Sequence, residues 1–324
     1  MLTIKRKLIL GLCSLALLAC QSTTAPDWYS APPTNDPQYL TAVGQGLNLT
    51  QAKQSALSQI NAQLWTQINS SFVSRDIVQS RNQSEHSSSL IDNHVNSKTA
   101  NITLTGIDYP QVAKNDIGYY VQAKVSRDTV VRQLRSEIEQ SNRHAQAVLQ
   151  QRQHQDALLW WLANRAQSEQ AQAVAVRQAM LRALGQDDIP KAESIDQLAS
   201  ALAQVQSGIV IRVSASRKDQ KSAELLAEQF SKQSLKTTFS GTPNTTHVLK
   251  LTSQLRQSTV GQAYISTQFT TLKLQGRNGN ILASHEIISS GNSLTNYTFS
   301  KEGAERNFAD TVSAQGLWTS LGIQ

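Results

Sequence analysis

The residues best suited to carry chemistry stand at the end of an apolar N-terminal stretch, where Leu17-Leu18-Ala19-Cys20 places a thiol directly after a small residue. Residues 5–7 are Lys-Arg-Lys, and the eleven residues 8–18 are mostly apolar. This order of basic, apolar and small residues is typical of a secretory signal peptide. A cysteine directly after the cleavage site indicates a bacterial lipoprotein, whose thiol carries a diacylglyceryl group. We therefore expect cleavage between Ala19 and Cys20 and lipidation of Cys20.

The alternative interpretation makes Cys20 an apolar filler in a cleaved signal or a membrane-spanning anchor. Eleven apolar residues are too few for a span, because a helix needs about 20 to cross the hydrocarbon core. A single acyl chain gives a protein only marginal binding to a membrane. The three acyl chains of a mature bacterial lipoprotein hold it there essentially permanently. Gln21 is not the aspartate that favours retention in the inner membrane. We expect a lipid-anchored protein of the outer membrane, on its periplasmic face.

A second motif that suggests chemistry is Gly44-x-Gly46, which lies between a predicted strand and a predicted helix. Such a glycine turn can direct backbone N–H groups at a phosphate. Leu49 stands where the third glycine of a dinucleotide motif belongs, and no Lys-Ser/Thr pair follows. The sequence therefore favours a tight turn from strand to helix and predicts no nucleotide cofactor.

Metal and nucleophile chemistry find little support in the residue spacing. The six histidines are scattered, and no spacing brings two of them to one face as zinc requires: His86, His94, His144, His154, His247 and His285. No Gly-x-Ser-x-Gly elbow is present. Cys13 leaves with the signal and Cys20 is acylated, so no thiol remains as a nucleophile. We predict no metal, no cofactor and no enzymatic activity.

Trp160 and Trp161 form an adjacent aromatic pair that could mark a docking surface. Exposed tryptophans carry much of the binding energy at protein interfaces. The alternative places one indole in the core and leaves the other half covered. We keep the pair as a candidate partner-binding site.

Charge does not indicate a nucleic-acid partner. The chain has 30 Lys and Arg against 23 Asp and Glu, a formal charge of +7. Residues 5–7 supply three of these positive charges and leave with the signal, so the mature chain is near +4. Removal of residues 1–19 leaves 305 residues, enough for two domains at about 150 residues each.

The periodicity after a Ser-, Thr- and Pro-rich tether predicts two α/β domains. In the first, we expect a strand over 39–43, a helix capped by Asn48 and Gln51 that ends near Ser70, and strands over 72–79, 100–109 and 118–126, ordered β-α-β-β-β. A long helical pattern follows. The second domain is predicted to contain a strand over 209–213, a helix over 223–232, and strands over 246–255, 263–275 and 281–290. A closing helix is expected to begin with Ser300 as its cap and to run along Ala304, Phe308 and Val312 on its apolar side.

These elements predict an α+β fold class, with two small α/β sandwich-type domains joined by a long helical connector. The expected boundaries are 1–19 for the signal, 20–37 for the tether, 38–127 and 207–324 for the domains, and 128–206 for the connector.

The first domain resembles the LPP20 lipoprotein family. Three segments carry the resemblance: Pro26-Asp27-Trp28-Tyr29, the run from Tyr39 to Gly46 with its Val-Gly-x-Gly turn, and the closing strand from Tyr119 to Arg127. The family includes the flagellar lipoprotein FlgP, and the N-terminal domain of FlgT is similar. The resemblance implies an envelope assembly or structural protein with envelope or flagellar partners and no known catalytic residue, and it leaves the oligomeric state open.

The C-terminal part resembles the α/β modules of TolB, CsgG and lipoprotein activators of penicillin-binding proteins. The resemblance rests on the strand over 246–255 and on the pair around Gly276-Arg277-Asn278-Gly279. It implies a second function, activation of a peptidoglycan synthase or another envelope machine. Among the candidate functions, we rank an envelope assembly or binding component first, an activator or adaptor of such a machine second, and an enzyme third.

Overall fold

A computed structural model describes residues 24–32, 36–79 and 102–323, without the side chains of 68–79. The chain divides into two compact units. Unit 1 comprises Met1–His144 and Glu169–Ile195, and unit 2 comprises Ala145–Ser168 and Asp196–Gln324. Each unit contains one sheet together with helices, which confirms the predicted α+β class.

Unit 1 is built on a three-stranded antiparallel sheet in the order β1-β3-β2. Its strands are β1 (Tyr39–Gly46), β2 (Asp108–Lys114) and β3 (Tyr119–Ser126). β1 and β3 are in register from the pair Tyr39 and Ser126 to the pair Gly46 and Tyr119. A short helix, α1 (Asp27–Ser30), precedes the sheet. β1 therefore lies at one edge of the described sheet.

Helix α2 (Leu49–Gln79) packs on β1 and β3. The predicted cap is confirmed, because the Gln51 N–H donates to Asn48 Oδ1 at 2.9 Å and Gln51 Oε1 accepts from the Leu47 N–H at 3.1 Å. A stripe of small and aliphatic residues faces the sheet without exposure: Ala52, Ala56, Ile60 and Leu64. This stripe at helical spacing is the reason the segment folds as a helix on a sheet.

Gly44 allows α2 to approach the sheet closely. A Cβ atom at this position would overlap the backbone of Ala52 and Ala56. Gly44 lies inside β1, and Gly46 is the last residue of that strand. The predicted tight turn is therefore wrong, since the glycines serve close contact between strand and helix and the chain turns after them.

Two sequence predictions in unit 1 differ from the structure. Residues 72–79, predicted as a strand, continue helix α2 to Gln79. The strand predicted over 100–109 begins only at Asp108. The polar segment 80–97 lies outside the described residues. The described order of unit 1 up to β3 is therefore β-α-β-β after α1.

Three helices follow β3 in the part of the chain expected to form a connector: α3 (Arg127–Gln151), α4 (Ala157–Asn164) and α5 (Gln170–Ala183). A fourth helix, α6 (Glu193–Gly208), completes this stretch. The first part of α3 and the whole of α5 belong to unit 1, whereas α4 and most of α6 belong to unit 2. The expected connector residues 128–206 thus contribute to the cores of both units.

Unit 2 contains a five-stranded sheet in the order β5-β4-β6-β7-β8. The strands are β4 (Val210–Ser214), β5 (Lys236–Thr238), β6 (His247–Val260), β7 (Ala263–Gln275) and β8 (Ile281–Ser293). β4 is parallel to β5 and β6, while β6, β7 and β8 form an antiparallel meander. The sequence located four of these strands and missed the short β5.

Helices α7 (Gln220–Lys232), α8 (Tyr297–Gln315) and α9 (Leu317–Ser320) complete unit 2. The predicted inward positions of α8 are confirmed, because Ala304, Phe308 and Val312 are unexposed. Its cap is Asn296, whose Oδ1 accepts from the Phe299 N–H at 3.0 Å, and not Ser300 as the sequence suggested. Gly291 of β8 permits close packing here, because a Cβ atom would overlap the α8 backbone.

Candidate docking groove at the edge of β1

A cleft of about 660 Å³ runs along β1 in unit 1. Its first wall is the segment before β1, with Tyr29, Pro32 and Asp36. The floor is β1 itself from Tyr39 to Val43. The second wall is one flank of α2, from Gln59 to Gln67. We call this cleft the edge groove, because it follows the side of β1 that points away from β3.

The hydrogen-bond register shows which backbone groups of β1 face the edge groove. Arg127, which directly follows β3, donates its backbone N–H to the Gln38 carbonyl at 2.9 Å. The backbone groups of Gln38 therefore face the side of β3. Bonded pairs recur at every second residue of an antiparallel ladder. Leu40 and Ala42 therefore direct their backbone groups to β3, whereas Thr41 and Val43 direct theirs into the groove. No strand among the described residues pairs with β1 on that side.

Two side chains already bond the outward backbone groups and confirm this orientation. Asp36 Oδ1 accepts from the Tyr39 N–H at 3.2 Å, and this contact closes one end of the edge. Gln63 Nε2 donates to the Thr41 carbonyl at 3.0 Å. The Gln63 amide therefore stands where the N–H of an added strand would donate. An incoming strand can replace this single exposed side-chain bond with a backbone bond.

The α2 wall presents amide and hydroxyl groups along the groove. Gln59 and Gln63 are one helical turn apart, and Thr66 follows after a further three residues. All three are exposed. Since positions three and four apart share one helix face, these polar groups form a row beside the strand edge. The row offers donors and acceptors to a peptide that lies between β1 and α2.

At the end of the groove nearest to Gln38, Asp36 contacts Arg127, the first residue of α3, and Lys124 of β3. Arg127 Nε donates to the Asp36 carbonyl at 3.3 Å. The Lys124 ammonium lies 3.7 Å from the centre of the Tyr39 ring. The contacts with Asp36 hold this residue of the first wall beside the sheet.

Main-chain groups that point outward from a strand edge, beside a polar helix face, suit one kind of ligand, an extended polypeptide. Strand addition at a sheet edge uses main-chain hydrogen bonds for affinity and neighbouring side chains for specificity. The groove volume of about 660 Å³ also lies in the range of small-molecule clefts. What distinguishes this cleft is that its floor is a strand edge with which no other described strand pairs.

Most residues around this groove lie within a segment that matches a known sequence family. Residues 26–126 match the model of the LPP20 lipoprotein family. The first domain is similar to LPP20 lipoproteins. This match confirms the predicted resemblance and supports an envelope lipoprotein. The LPP20 family is not known as an enzyme family.

Solved structures add distant similarities. The crystal structure of the secreted protein HP1454 from the human pathogen Helicobacter pylori has a TM-score of 0.49 at 14% identity, covering 87% of this chain and 98% of that one. A minor lipoprotein from Acinetobacter baumannii has a TM-score of 0.27 at 10% identity, covering 33% of this chain and 88% of that one. No curated protein matches the sequence.

The predicted modification site and two histidines fall outside the described residues. Ala19 and Cys20 precede Thr24, the first described residue, and His86 and His94 lie in the undescribed stretch between 79 and 102. In the described ranges, no helix is both long and apolar enough to span a bilayer. Lipidation of Cys20 therefore stays a prediction from the sequence.

Trp160 and Trp161 do not form the exposed pair expected of a docking site. Their exposed fractions are 0% and 4%. Trp160 Nε1 donates to the Val148 carbonyl at 3.0 Å, and the Trp161 ring lies 6.4 Å from that of Trp318. Both indoles lie in the core of unit 2, outside the LPP20-like domain. The prediction that this pair forms an exposed docking site is therefore corrected. The two buried side chains stabilise α4 within unit 2.

Thr246, His247 and Asp156 in unit 2 are arranged like a hydrolase triad. His247 Nε2 lies 3.0 Å from Asp156 Oδ1, and His247 Nδ1 lies 2.8 Å from Thr246 Oγ1. The histidine is only 2% exposed, and the threonine hydroxyl also bonds the backbone N–H and carbonyl of Val210. The His247 ring is therefore closed to a substrate, and the Thr246 hydroxyl is already committed to Val210. The arrangement instead fastens α4 to β6.

This buried pair gives unit 2 a defined acid sensitivity. Burial by itself would raise the pKa of Asp156, but the hydrogen bond and charge of His247 and the N–H groups of Leu158 and Leu159 lower the pKa below its ordinary value. A lowered folded-state pKa stabilises the fold above the unfolded-state pKa. That stabilisation is lost as the pH falls through the folded-state value.

We expect Asp156→Asn to lower the free energy of unfolding by about 1–3 kcal/mol at neutral pH, because it removes a charged hydrogen-bond partner of His247. Asparagine still caps α4, so the cap is not the cause. The difference from the wild type should shrink below about pH 3.9. Urea unfolding at several pH values measures it, with Asp188→Asn as a control, since the Asp188 side chain is 96% exposed. A difference independent of pH would contradict the assignment.

Among the described residues, no three His, Cys, Asp or Glu side chains converge on a point that could hold a metal ion.

The sequence analysis did not locate the edge groove. The clearest signal was the spacing of Gln59 and Gln63 beside the buried stripe of α2, which places polar groups on a defined flank. The spacing does not tell which strand lies next to that flank.

Proposed function

We propose that this protein is a lipid-anchored outer-membrane lipoprotein that acts as a structural, assembly or binding component of the envelope. In this proposal, the edge groove of unit 1 binds an extended segment of a partner protein by adding it as a strand to β1. The observation that carries the proposal is the orientation of Thr41 and Val43, whose backbone groups face the groove beside the polar row of α2.

The acylated Cys20 would hold the groove at the membrane. A tethered binding site has a high effective concentration for partners in the same compartment, so a modest interface suffices. The favoured client is a flagellar or other envelope-spanning structure, and the support for it is the family resemblance of residues 26–126. Motility and envelope integrity of a deletion strain would separate these two kinds of client.

The second candidate function is activation of a peptidoglycan synthase or a similar envelope machine. One feature of unit 2 favours it: β4 is parallel to both β5 and β6, with α7 as the crossover between β4 and β5. Parallel strands with a crossover helix are the unit from which α/β modules are built. A partner that binds unit 2 and not the edge groove would favour this candidate.

We expect Thr41→Pro to abolish partner binding at the edge groove. Proline removes an outward N–H donor and places its ring on the strand edge, where natural sheets use it to prevent pairing. The Thr41 N–H does not serve the ladder with β3, so unit 1 should stay folded. Thr41→Val is the matched control, because valine has the same shape and keeps the N–H.

The measurement is photo-crosslinking in intact cells from a benzoylphenylalanine placed at Gln59, which lines the α2 wall. The crosslinked partner residues should form one short extended segment. The adduct should persist in the Thr41→Val background and disappear in Thr41→Pro. An equal adduct from folded Thr41→Pro protein would show that the partner does not pair with β1.

A further inference from the structure

Two large aliphatic side chains are exposed at one end of unit 1. Leu47 follows β1 and is 80% exposed, and Ile117 lies in the turn between β2 and β3 and is 49% exposed. Single exposed aliphatic residues are common on soluble proteins and need no explanation. Leu47 and Ile117, in contrast, form a pair at the same end of one sheet, beside the point where the chain enters the domain. Such a pair is a candidate contact surface.

The sheet register places the two residues next to each other. The ladder between β1 and β3 ends at Gly46 and Tyr119, so Leu47 and Gly118 are the next positions across. Gly118 approaches so closely that an added Cβ atom would lie 3.6 Å from the Leu47 Cα. Ile117 directly precedes Gly118. Asn115 shapes this turn, because its Oδ1 accepts from the Ile117 N–H at 2.9 Å.

The same turn holds the start of the described chain. Asn115 Nδ2 donates to the Thr24 carbonyl at 3.1 Å. A few residues later, Tyr29 packs edge-on against Tyr120, with ring centres 4.9 Å apart. The chain therefore enters unit 1 at the end that carries Leu47 and Ile117. We call this end, formed by Leu47, Ile117 and their two turns, the entry end.

Chain length then limits how far the lipid can be from the entry end. Cys20 is four residues before Thr24. A fully extended chain spans at most about 3.5 Å per residue, so Cys20 lies within about 14 Å of Thr24. Acyl chains on Cys20 would therefore bring the entry end to the membrane surface.

We infer that the entry end inserts into the interfacial layer of the lipid surface, with Leu47 and Ile117 in contact with the acyl chains. The inference rests on the proposed lipidation of Cys20. Lys114, the last residue of β2, and Asp116, directly before Ile117, supply charged groups that would remain in the hydrated headgroup layer. Insertion would fix the direction of unit 1: β1 would run from its distant end, near Gln38, down to the membrane.

The test uses the absence of other thiols from the mature chain. Cys13 belongs to the signal and Cys20 is the acylation site, so a cysteine introduced elsewhere is the one reactive thiol. Leu47→Cys and Ile117→Cys are purified as acylated protein, labelled with the environment-sensitive dye NBD and placed in phosphatidylethanolamine and phosphatidylglycerol vesicles. Gln38→Cys is the control, because it lies at the other end of β1, about 30 Å away at 3.3 Å per residue.

The dye at Leu47→Cys and Ile117→Cys should shift to the blue in vesicles and lose most of its emission when the vesicles contain spin-labelled lipid. The dye at Gln38→Cys should do neither. Labelled palmitate and vesicle flotation report the anchor separately. Protein that is acylated and bound but unquenched at both positions overturns the insertion and leaves the anchor standing, whereas absence of acylation overturns the anchor first.

Two further outcomes also overturn the inference. Equal quenching at Gln38→Cys would show that unit 1 lies flat on the lipid. A dye at Leu47→Cys that is already protected in the unacylated protein, free of detergent and lipid, would show that a second copy of the chain covers the entry end.

Discussion

Gly44→Ala should destabilise unit 1 by about 3 kcal/mol, the upper part of the range for overpacked cores. The added methyl group would overlap backbone atoms of Ala52 and Ala56. Backbone atoms of a helix cannot rotate away as a side chain can. The whole of α2 would have to move off β1, and the stripe from Ala52 to Leu64 would lose its contacts with the sheet.

Denaturant unfolding of the protein without residues 1–19 measures the effect of Gly44→Ala, and Gly208→Ala is the control. Gly208 has no atom within 4 Å of an added Cβ, so this variant should be as stable as the wild type. Partner binding at the edge groove should also weaken in Gly44→Ala, because α2 forms one of its walls. Equal stability of the two variants would show that α2 does not approach β1 as closely as described.

Trp160→Ala should lower the free energy of unfolding by about 3–5 kcal/mol, the usual loss when a buried tryptophan is truncated. The indole is unexposed, and its N–H bonds the Val148 carbonyl. Its neighbour Trp161 continues into an aromatic cluster, in which the rings of Phe230 and Trp318 lie 5.7 Å apart. The cavity would open between α4 and the rest of unit 2.

Calorimetry of Trp160→Ala beside Trp28→Ala makes this prediction specific. Trp28 is half-buried in the short helix α1, so its truncation should cost much less. If the two substitutions lowered the melting temperature equally, the deep burial of Trp160 would be contradicted. A large loss for Trp160→Ala alone would show that residues 157–164 stabilise unit 2 and do not merely link two domains.

Helix and strand periods were readable wherever one residue pattern dominated. The stripe from Ala52 to Leu64 and the long meander strands were found within a few residues of their bounds. The pattern failed at 72–79, where Phe72, Val73 and Val78 suggested a strand. A helix that is already nucleated extends at low cost per residue, so the structure continues α2 through residues of high strand propensity.

The edge groove was beyond local reasoning for a different reason. Whether β1 lies at an edge depends on the strand order β1-β3-β2, in which the third strand of unit 1 inserts between the first two. The order follows from contacts between residues far apart in the sequence. The same holds for Trp160 and Trp161, whose neighbours Phe230 and Trp318 are far away along the chain.

The alternation of the chain between the two units affects the order in which they can fold. Synthesis proceeds from the N-terminus, and unit 1 is complete only when residue 195 has been made. At that point the segment 145–168 still lacks the rest of unit 2, residues 196–324. Synthesis of these residues takes on the order of ten seconds at 5–20 residues per second. During that interval Trp160 and Trp161 have no core to enter. A newly made chain therefore presents two bare indoles to chaperones until Trp318 arrives.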